Sequence, residues 1–221
     1  MKKILIILTL TLFSALQANA AELPKVSVGI SGNAGLLDAT GKETFNSKLK
    51  SRSEEVGIAY ISGFAELHLG GPVRVGVSYV PYALESETNS RIDRSTTTIQ
   101  GGTGEADRLQ KVQVDIEDLT SMYVSFHKDM FFLKVGAMQG ELITNEKLAT
   151  GSTYKNTTLE GTFAAVGLDK DLPNGLFVRG EFMLTEFEDI KLTSTGSDNT
   201  NVVELTGISG SNVSLSIGKT F

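Results

Sequence analysis

The chain has 221 residues, a net charge of −6, no cysteine, no tryptophan, and 23 glycines against 4 prolines. Without cysteine there is no disulfide scaffold, no thiolate metal site and no lipid anchored on a cysteine. The acidic balance argues against nucleic acid as a partner, and the glycine-rich mixture favours strands and turns over a helical bundle.

Lys2 and Lys3 precede an uncharged stretch from Ile4 to Leu16, and Ala18-Asn19-Ala20 follows. A basic start, a short apolar run and a small-x-small site are the pattern of a cleaved secretory signal. The run is short for a membrane-spanning helix, which needs about 20 residues. Residues 1–20 are therefore expected to be a signal peptide and residues 21–221 a single exported domain. No comparable apolar run follows, so no spanning helix is expected after Ala20.

Beyond that point apolar residues recur on every second position, the period of a strand with one buried face. Val26, Val28 and Ile30 lead a first segment near 25–36, and Ala59, Ile61, Ala65, Leu67 and Leu69 a second near 54–69. Val73, Val75, Val77 and Tyr79 mark a third, to about Tyr82. Val112, Val114, Ile116, Met122, Val124 and Phe126 share one parity in a fourth, near 110–127. Phe131, Leu133, Val135 and Ala137 give a fifth, to about Gln139. Thr162, Ala164, Val166 and Leu168 give a sixth near 158–168, in which Phe163 has the opposite parity. Leu176, Val178, Phe182 and Leu184 give a seventh, to about Leu192. The eighth starts near Val202 and closes on "NVSLSIGKTF", where Val213, Leu215 and Ile217 alternate with serines before the aromatic Phe221.

Connections alternate in length. Gly70-Gly71-Pro72, the corner 127–130 and the segment 169–175 with Pro173-Asn174-Gly175 are short, whereas 37–53, 83–109, 140–157 and 193–201 read as long polar loops. Eight antiparallel strands joined in this way place every long loop at one end. The first hairpin sorts cleanly in one register. Leu69, Leu67 and Ala65 face Val73, Val75 and Val77, while His68, Glu66 and Phe64 face Arg74, Gly76 and Ser78. Glu66 is then diagonal to Arg74, within reach of an ion pair.

Alternation does not say which face meets solvent. A soluble lipocalin-like barrel turns its apolar face inward, a membrane barrel outward. The signal peptide and the aromatics near strand ends (Tyr79, Phe126, Phe131, Phe221) favour the membrane arrangement. The chain resembles the small outer-membrane β-barrel proteins of Gram-negative bacteria, the group of OmpX and the OmpA membrane domain. It does so as an architecture over nearly its whole length and as a motif in "NVSLSIGKTF". The resemblance implies an antiparallel up-and-down transmembrane barrel of about eight strands, or ten if 83–109 hides a hairpin around Ser95–Gln100. It also implies that Val213, Leu215, Ile217 and the terminal Phe221 form the signal read by the barrel assembly machinery. Lys219 departs from the usual apolar or aromatic residue there. The implied setting is the outer membrane, among its lipids and lipopolysaccharide, with no peptidoglycan-binding domain after the barrel.

The inward-facing polar set on this reading is Glu66, His68, Arg74, Tyr123, Lys134, Arg179 and Glu181. In a barrel this narrow such residues are expected to form a structural salt-bridge network rather than a selectivity lining. His68 and His127 are the only histidines and both fall near the short turns, so no catalytic or metal-binding constellation is recognised and no cofactor is expected. "GLLDATGKE" (Gly35 to Glu43) has the wrong spacing for a phosphate loop and carries Glu43 where Ser or Thr is required. The acidic residues Glu85, Glu87, Asp93, Glu105 and Asp107 interleave with Arg91, Arg94 and Arg108, as in a solvated mixed-charge loop. The expected function is that of a structural or surface-interaction barrel, with extracellular partners meeting the long loops. A minor porin for small solutes and a soluble periplasmic ligand carrier are the rivals. The apolar stripe Val112, Val114 and Ile116 is expected to face outward above the membrane, where ordinary pairing with the neighbouring extended strands is favoured over an edge open to a partner strand.

Overall fold

The computed structural model describes residues 24–45, 48–85, 89–99, 102–147, 153–195 and 202–221. The proposed signal peptide lies outside them. The strands are β1 (Val26–Phe45), β2 (Lys48–His68), β3 (Val73–Tyr79), β4 (Leu84–Glu85), β5 (Asn89–Ile99), β6 (Gly102–Lys128), β7 (Phe131–Lys147), β8 (Thr157–Asp171), β9 (Leu176–Phe187), β10 (Ile190–Thr193) and β11 (Val202–Thr220). Strands β1, β2, β3, β6, β7, β8, β9 and β11 pair in sequence, and β11 returns to β1, so the sheet closes as a ring of eight. Strands β4 and β5 continue the line of β3 along β6, and β10 continues β9 along β11. No helix among the described residues is long and apolar enough to cross a membrane.

Paired residues trace the tilt. From Val28 the path runs through Ala65, Val77, Met122, Ala137, Thr162, Glu186 and Ser209 and rejoins β1 at Asp38, ten residues further on. Eight strands with that stagger tilt by about 40° and enclose a backbone radius of roughly 8 Å, a bore that side chains can fill.

The register of the first hairpin is the expected one, from His68 opposite Arg74 to Phe64 opposite Ser78. The long connections differ from expectation. Segment 37–53 is mostly strand, paired without a break to Phe45 opposite Lys48. Segment 83–109 forms a hairpin, with Asn89 opposite Val112 out to Ile99 opposite Gly102. That hairpin lengthens two members of the ring and adds none, so the ring stays at eight rather than ten. Polar composition reads as loop in a sequence, yet a hairpin standing in water needs no apolar face when its backbone is fully paired. "GLLDATGKE" accordingly lies within β1.

Along the lower part of the wall the apolar residues point outward. Val28, Ile30, Ile61, Val77, Leu133, Val135, Val166, Phe182, Leu184, Val213 and Ile217 are all exposed, and Leu215 is 78% exposed. Tyr79, Phe126, Phe131 and Phe221 are exposed at strand ends. Phe163, odd in parity, is buried in the lumen, which explains its disagreement with its neighbours.

The pattern inverts near the long-loop end. In β6 a bulge places Asp118 and Leu119 between the pairs Glu117–Glu141 and Thr120–Gln139, with Asp118 at φ 51°. In β11 a second bulge falls between Ser209–Asp38 and Thr206–Thr40, where Gly207 takes φ 62°. Across the break between β9 and β10 the inward parity changes too, from Phe177, Arg179 and Thr185 to Ile190 and Leu192, and Asp189 from that break accepts the Gly207 N–H at 3.0 Å. One inserted residue swaps the two faces of a strand. Below the bulges the apolar residues face out; above them they face in. These residues join an apolar cluster at the long-loop mouth built on Leu142, Leu159, Ile190, Leu192 and Ile208, with Leu37, Leu205 and Phe187 against it; Leu37, Leu142 and Leu159 reach it in unbroken inward parity.

Val114 and Ile116 join that cluster and are not outward-facing as expected, because the Asp118 bulge separates them from Met122 and Val124. On the outward side of the same stretch Asp115 accepts hydrogen bonds from Gln113 (3.0 Å) and Asn145 (2.6 Å). The Val112 side chain lies outside the described residues. Nor does β6 carry a free edge there, since Val112 pairs with Asn89 on one flank and Glu146 on the other.

Candidate functional site: the lumenal ion cluster

The bore is packed by rings laid over glycines. Gly76 stands opposite Tyr123, and a Cβ on Gly76 would meet the Tyr123 ring at 2.5 Å. Gly167 stands opposite Phe132, whose ring would lie 2.3 Å from an added Cβ. Gly29 with Phe64, Gly136 with Phe163 and Gly218 with Phe177 repeat the arrangement. Inward glycines let the cross-strand ring lie flat along the wall, which tiles a lumen too narrow for aromatics standing upright.

Charged groups converge between these rings, near the short turns. Arg179 on β9 donates from Nη1 to Glu66 Oε1 (2.6 Å) and from Nη2 to Glu66 Oε2 (2.9 Å). Its Nε donates to Asp169 Oδ1 at 2.6 Å. The Tyr123 hydroxyl donates to Glu66 Oε1 at 3.0 Å. Arg74, the hairpin partner expected for Glu66, stands 3.6 Å from Glu66 Oε2 and donates instead to Asp169 Oδ2 at 3.2 Å. Two arginines and two carboxylates thus balance in charge, with Glu66 only 2% exposed. The Arg179 guanidinium lies 5.0 Å from the Phe132 ring centre and 5.3 Å from that of Phe64.

Lys134 pairs with Glu181 a step further up and lies 4.5 Å above the centre of the Tyr123 ring. His68 is set apart from the cluster: its Nε2 meets Ser27 Oγ at 2.7 Å, and Ser27 also bonds Thr220 at 2.8 Å. Of the seven predicted inward residues, Glu66, Arg74, Tyr123 and Arg179 therefore form one cluster, Lys134 and Glu181 an adjoining pair, and His68 neither.

Sequence reasoning missed Asp169, reading it as the first residue of a turn. Strand β8 runs on to Asp171, and Asp169 shares the inward parity of Phe163. Extending that parity by one step would have placed it opposite Arg179. His127 was also missed. It stacks on Phe132 (centroids 5.1 Å apart), its Nδ1 lies 3.1 Å from Asp169 Oδ2, and its Nε2 lies 2.9 Å from Ser125 Oγ.

Serine, histidine and aspartate in that order have the connectivity of a hydrolytic triad. The surroundings do not suit catalysis. Ser125 is 1% exposed, and the Asp169 carboxylate is already held by two arginines. A nucleophile needs room for an acyl group and an oxyanion site beside it. The lumenal cavity, about 60 Å³ in volume, is lined by other residues, among them Ser62, Ser78, Ser121 and Lys134.

A closed eight-membered antiparallel ring with an apolar outer belt and a packed polar bore is the decisive geometry, and solved outer-membrane proteins align with this chain over most of its length. OprG of Pseudomonas aeruginosa, an outer membrane protein, aligns with a TM-score of 0.61 at 11% identity over 90% of this chain and 97% of its own. The chain has the outer-membrane β-barrel fold. The outer membrane protease OmpT of Escherichia coli aligns at 0.51 with 11% identity over 91% of this chain and 99% of its own. The outer membrane protein AlkL aligns at 0.50 with 15% identity over 92% of this chain and 94% of its own. No protein-family model and no curated protein sequence matches this barrel.

Proposed function

We propose that the chain is an integral outer-membrane protein whose barrel is closed to ions and solutes, acting as a structural and surface-contact element. The observation that carries this reading is the double seal of the bore. The neutral Glu66–Arg179–Asp169–Arg74 cluster fills the short-turn end, and the Leu142–Leu159–Ile190–Leu192–Ile208 cluster fills the other. A porin would need a continuous wet path between them. A soluble ligand carrier would need its apolar face inside, whereas here that face is exposed over the lower wall.

The outward apolar belt supports contact with membrane lipids and lipopolysaccharide. The long hairpins β1–β2 and β5–β6 support contact with extracellular partners. The outward-facing Val213, Leu215 and Ile217, together with Phe221, support recognition of the last strand by the barrel assembly machinery. The buried Ser125 supports a role without catalysis.

Planar-bilayer recording of the refolded barrel tests the reading. The expected result is no steady conductance in the native protein and no labelling of Ser125 by a fluorophosphonate. A large stable pore would replace the closed-barrel reading with a porin, and labelling lost in Ser125→Ala would replace it with a hydrolase.

A further inference from the structure

Among the described residues a lateral seam opens in the wall between β2 and β3. Strands β2 and β3 pair from His68–Arg74 up to Gly63–Tyr79, and the pairing stops there. Beyond Gly63, β2 pairs only with β1 on its other flank, while the chain after Tyr79 leans onto β6 through Val80 N–H to Leu119 O (3.0 Å) and then through β4 and β5. Among the described residues no backbone pairing bridges the gap. Gly63 pairs with Ile30, well within the apolar belt, so the seam opens inside the membrane-facing wall and not above it.

One side chain spans it. The Tyr82 hydroxyl accepts the backbone N–H of Ile61, which the missing strand partner leaves otherwise unpaired, and Tyr82 itself is 44% exposed. On the lipid side of this contact lies a groove of about 790 Å³ that includes Gly32, Ala59, Ile61, Tyr82 and Leu215, with mainly apolar walls. On the lumenal side lies the cavity of about 60 Å³, lined there by Tyr60, Ser62, Ser78 and Val80. That volume holds about two waters, or one small polar group. Ions close the bore beneath this cavity and apolar side chains close it above, so the seam is its short way out.

We infer that the β2–β3 seam is a binding site for a single-chain amphiphile with a small polar head, whose hydrocarbon tail lies in the groove beside Ile61 and Leu215 and whose head enters the hydroxyl-lined cavity when the Tyr82 side chain swings off Ile61. An apolar groove backed across the seam by a small cavity of mixed lining, with Ser62, Ser78 and Ser121 among its polar groups, fits a tail and a head. It fits neither a two-chain lipid with a bulky headgroup nor a wholly apolar solute, which would leave the Ser62, Ser78 and Ser121 hydroxyls facing hydrocarbon. The inference rests on the barrel lying in a bilayer, and the test separates the two.

The chain has no cysteine, so single-cysteine labelling is clean. Ser78→Cys places a thiol in the cavity behind the seam, and Leu215→Cys places one on the lipid face. In vesicles, a maleimide on a dodecyl chain should label Leu215→Cys readily and Ser78→Cys slowly. Adding Tyr82→Ala should speed dodecyl-maleimide labelling of Ser78→Cys about tenfold or more. Tyr82→Phe, which removes only the hydroxyl, should speed it about fivefold. A sulfonated water-soluble maleimide should show no change with either variant, and excess laurate should slow the dodecyl reagent.

No acceleration with either Tyr82 variant, or equal acceleration of both reagents, would overturn the site. Failure of Leu215→Cys to react with the chain reagent would overturn the membrane reading beneath it. Retained heat-modifiable gel migration confirms folding of each variant. Ser62→Cys serves as the lumenal thiol if Ser78→Cys fails to fold.

Discussion

Arg179 and Glu66 sit 113 residues apart in the chain and close a two-pronged ion pair at 2.6 and 2.9 Å across the bore. Each prong is charge-assisted, and Arg179 carries Asp169 as well. Arg179→Ala would leave two carboxylates in a poorly solvated lumen, with Arg74 as the one remaining guanidinium beside them and only Tyr123 and His127 as further partners. A loss of about 3–5 kcal/mol is expected, reduced by whatever water enters. Arg74→Ala should cost less, because Glu66 keeps both Arg179 contacts. Urea unfolding in detergent micelles checks the order; equal midpoints for the two variants would refute it.

The glycine cradles set a steric prediction. Gly167→Ala places a Cβ 2.3 Å from the Phe132 ring, which is hemmed in by Arg179 and His127. An overpacking cost of about 1–3 kcal/mol is expected. Gly63→Ala meets nothing within 4 Å and should be tolerated. The same unfolding series compares them, and equal destabilisation would show that the ring moves freely.

Phe221 ends the last strand without fraying: its N–H reaches Val26 O at 2.8 Å, and its ring lies 5.0 Å from Lys219 Nζ. That contact gives the atypical Lys219 a place at the rim. Deleting Phe221 should lower the yield of folded barrel in the outer membrane while export continues. Fractionation and gel migration measure this, and an unchanged yield would remove Phe221 from the assembly signal.

Above the membrane-facing wall, Lys191 donates to Glu204 at 2.7 Å and holds its carboxyl below the ordinary glutamate value. A lowered folded value means that any stabilisation is present above the unfolded value and fades as pH falls through the folded one. Both side chains are exposed, so the energetic effect is small. An NMR titration should find the Glu204 value rising towards normal in Lys191→Ala. No change on that substitution would show the pair to be unformed in solution.

Alternation alone determined the strands of the lower wall, their order and the register of the first hairpin, because a period of two with short turns leaves few ways to sort apolar from polar. It also determined that Glu66, Arg74, Tyr123 and Arg179 share the face opposite the apolar one, since parity propagates along each strand. Tertiary structure decided where parity breaks. The bulges at Asp118 and Gly207 are single-residue insertions visible only against a partner strand, and they turn Val114, Ile116 and Leu205 inward to seal the outer mouth. It decided the pairing inside the bore too. Arg179 rather than Arg74 takes Glu66, because the ten-residue stagger brings distant strands to one level and no local pattern records it. The seam at Gly63 likewise follows from the chain after Tyr79 leaning towards β6, a choice between two neighbouring edges that exists only once the ring has closed.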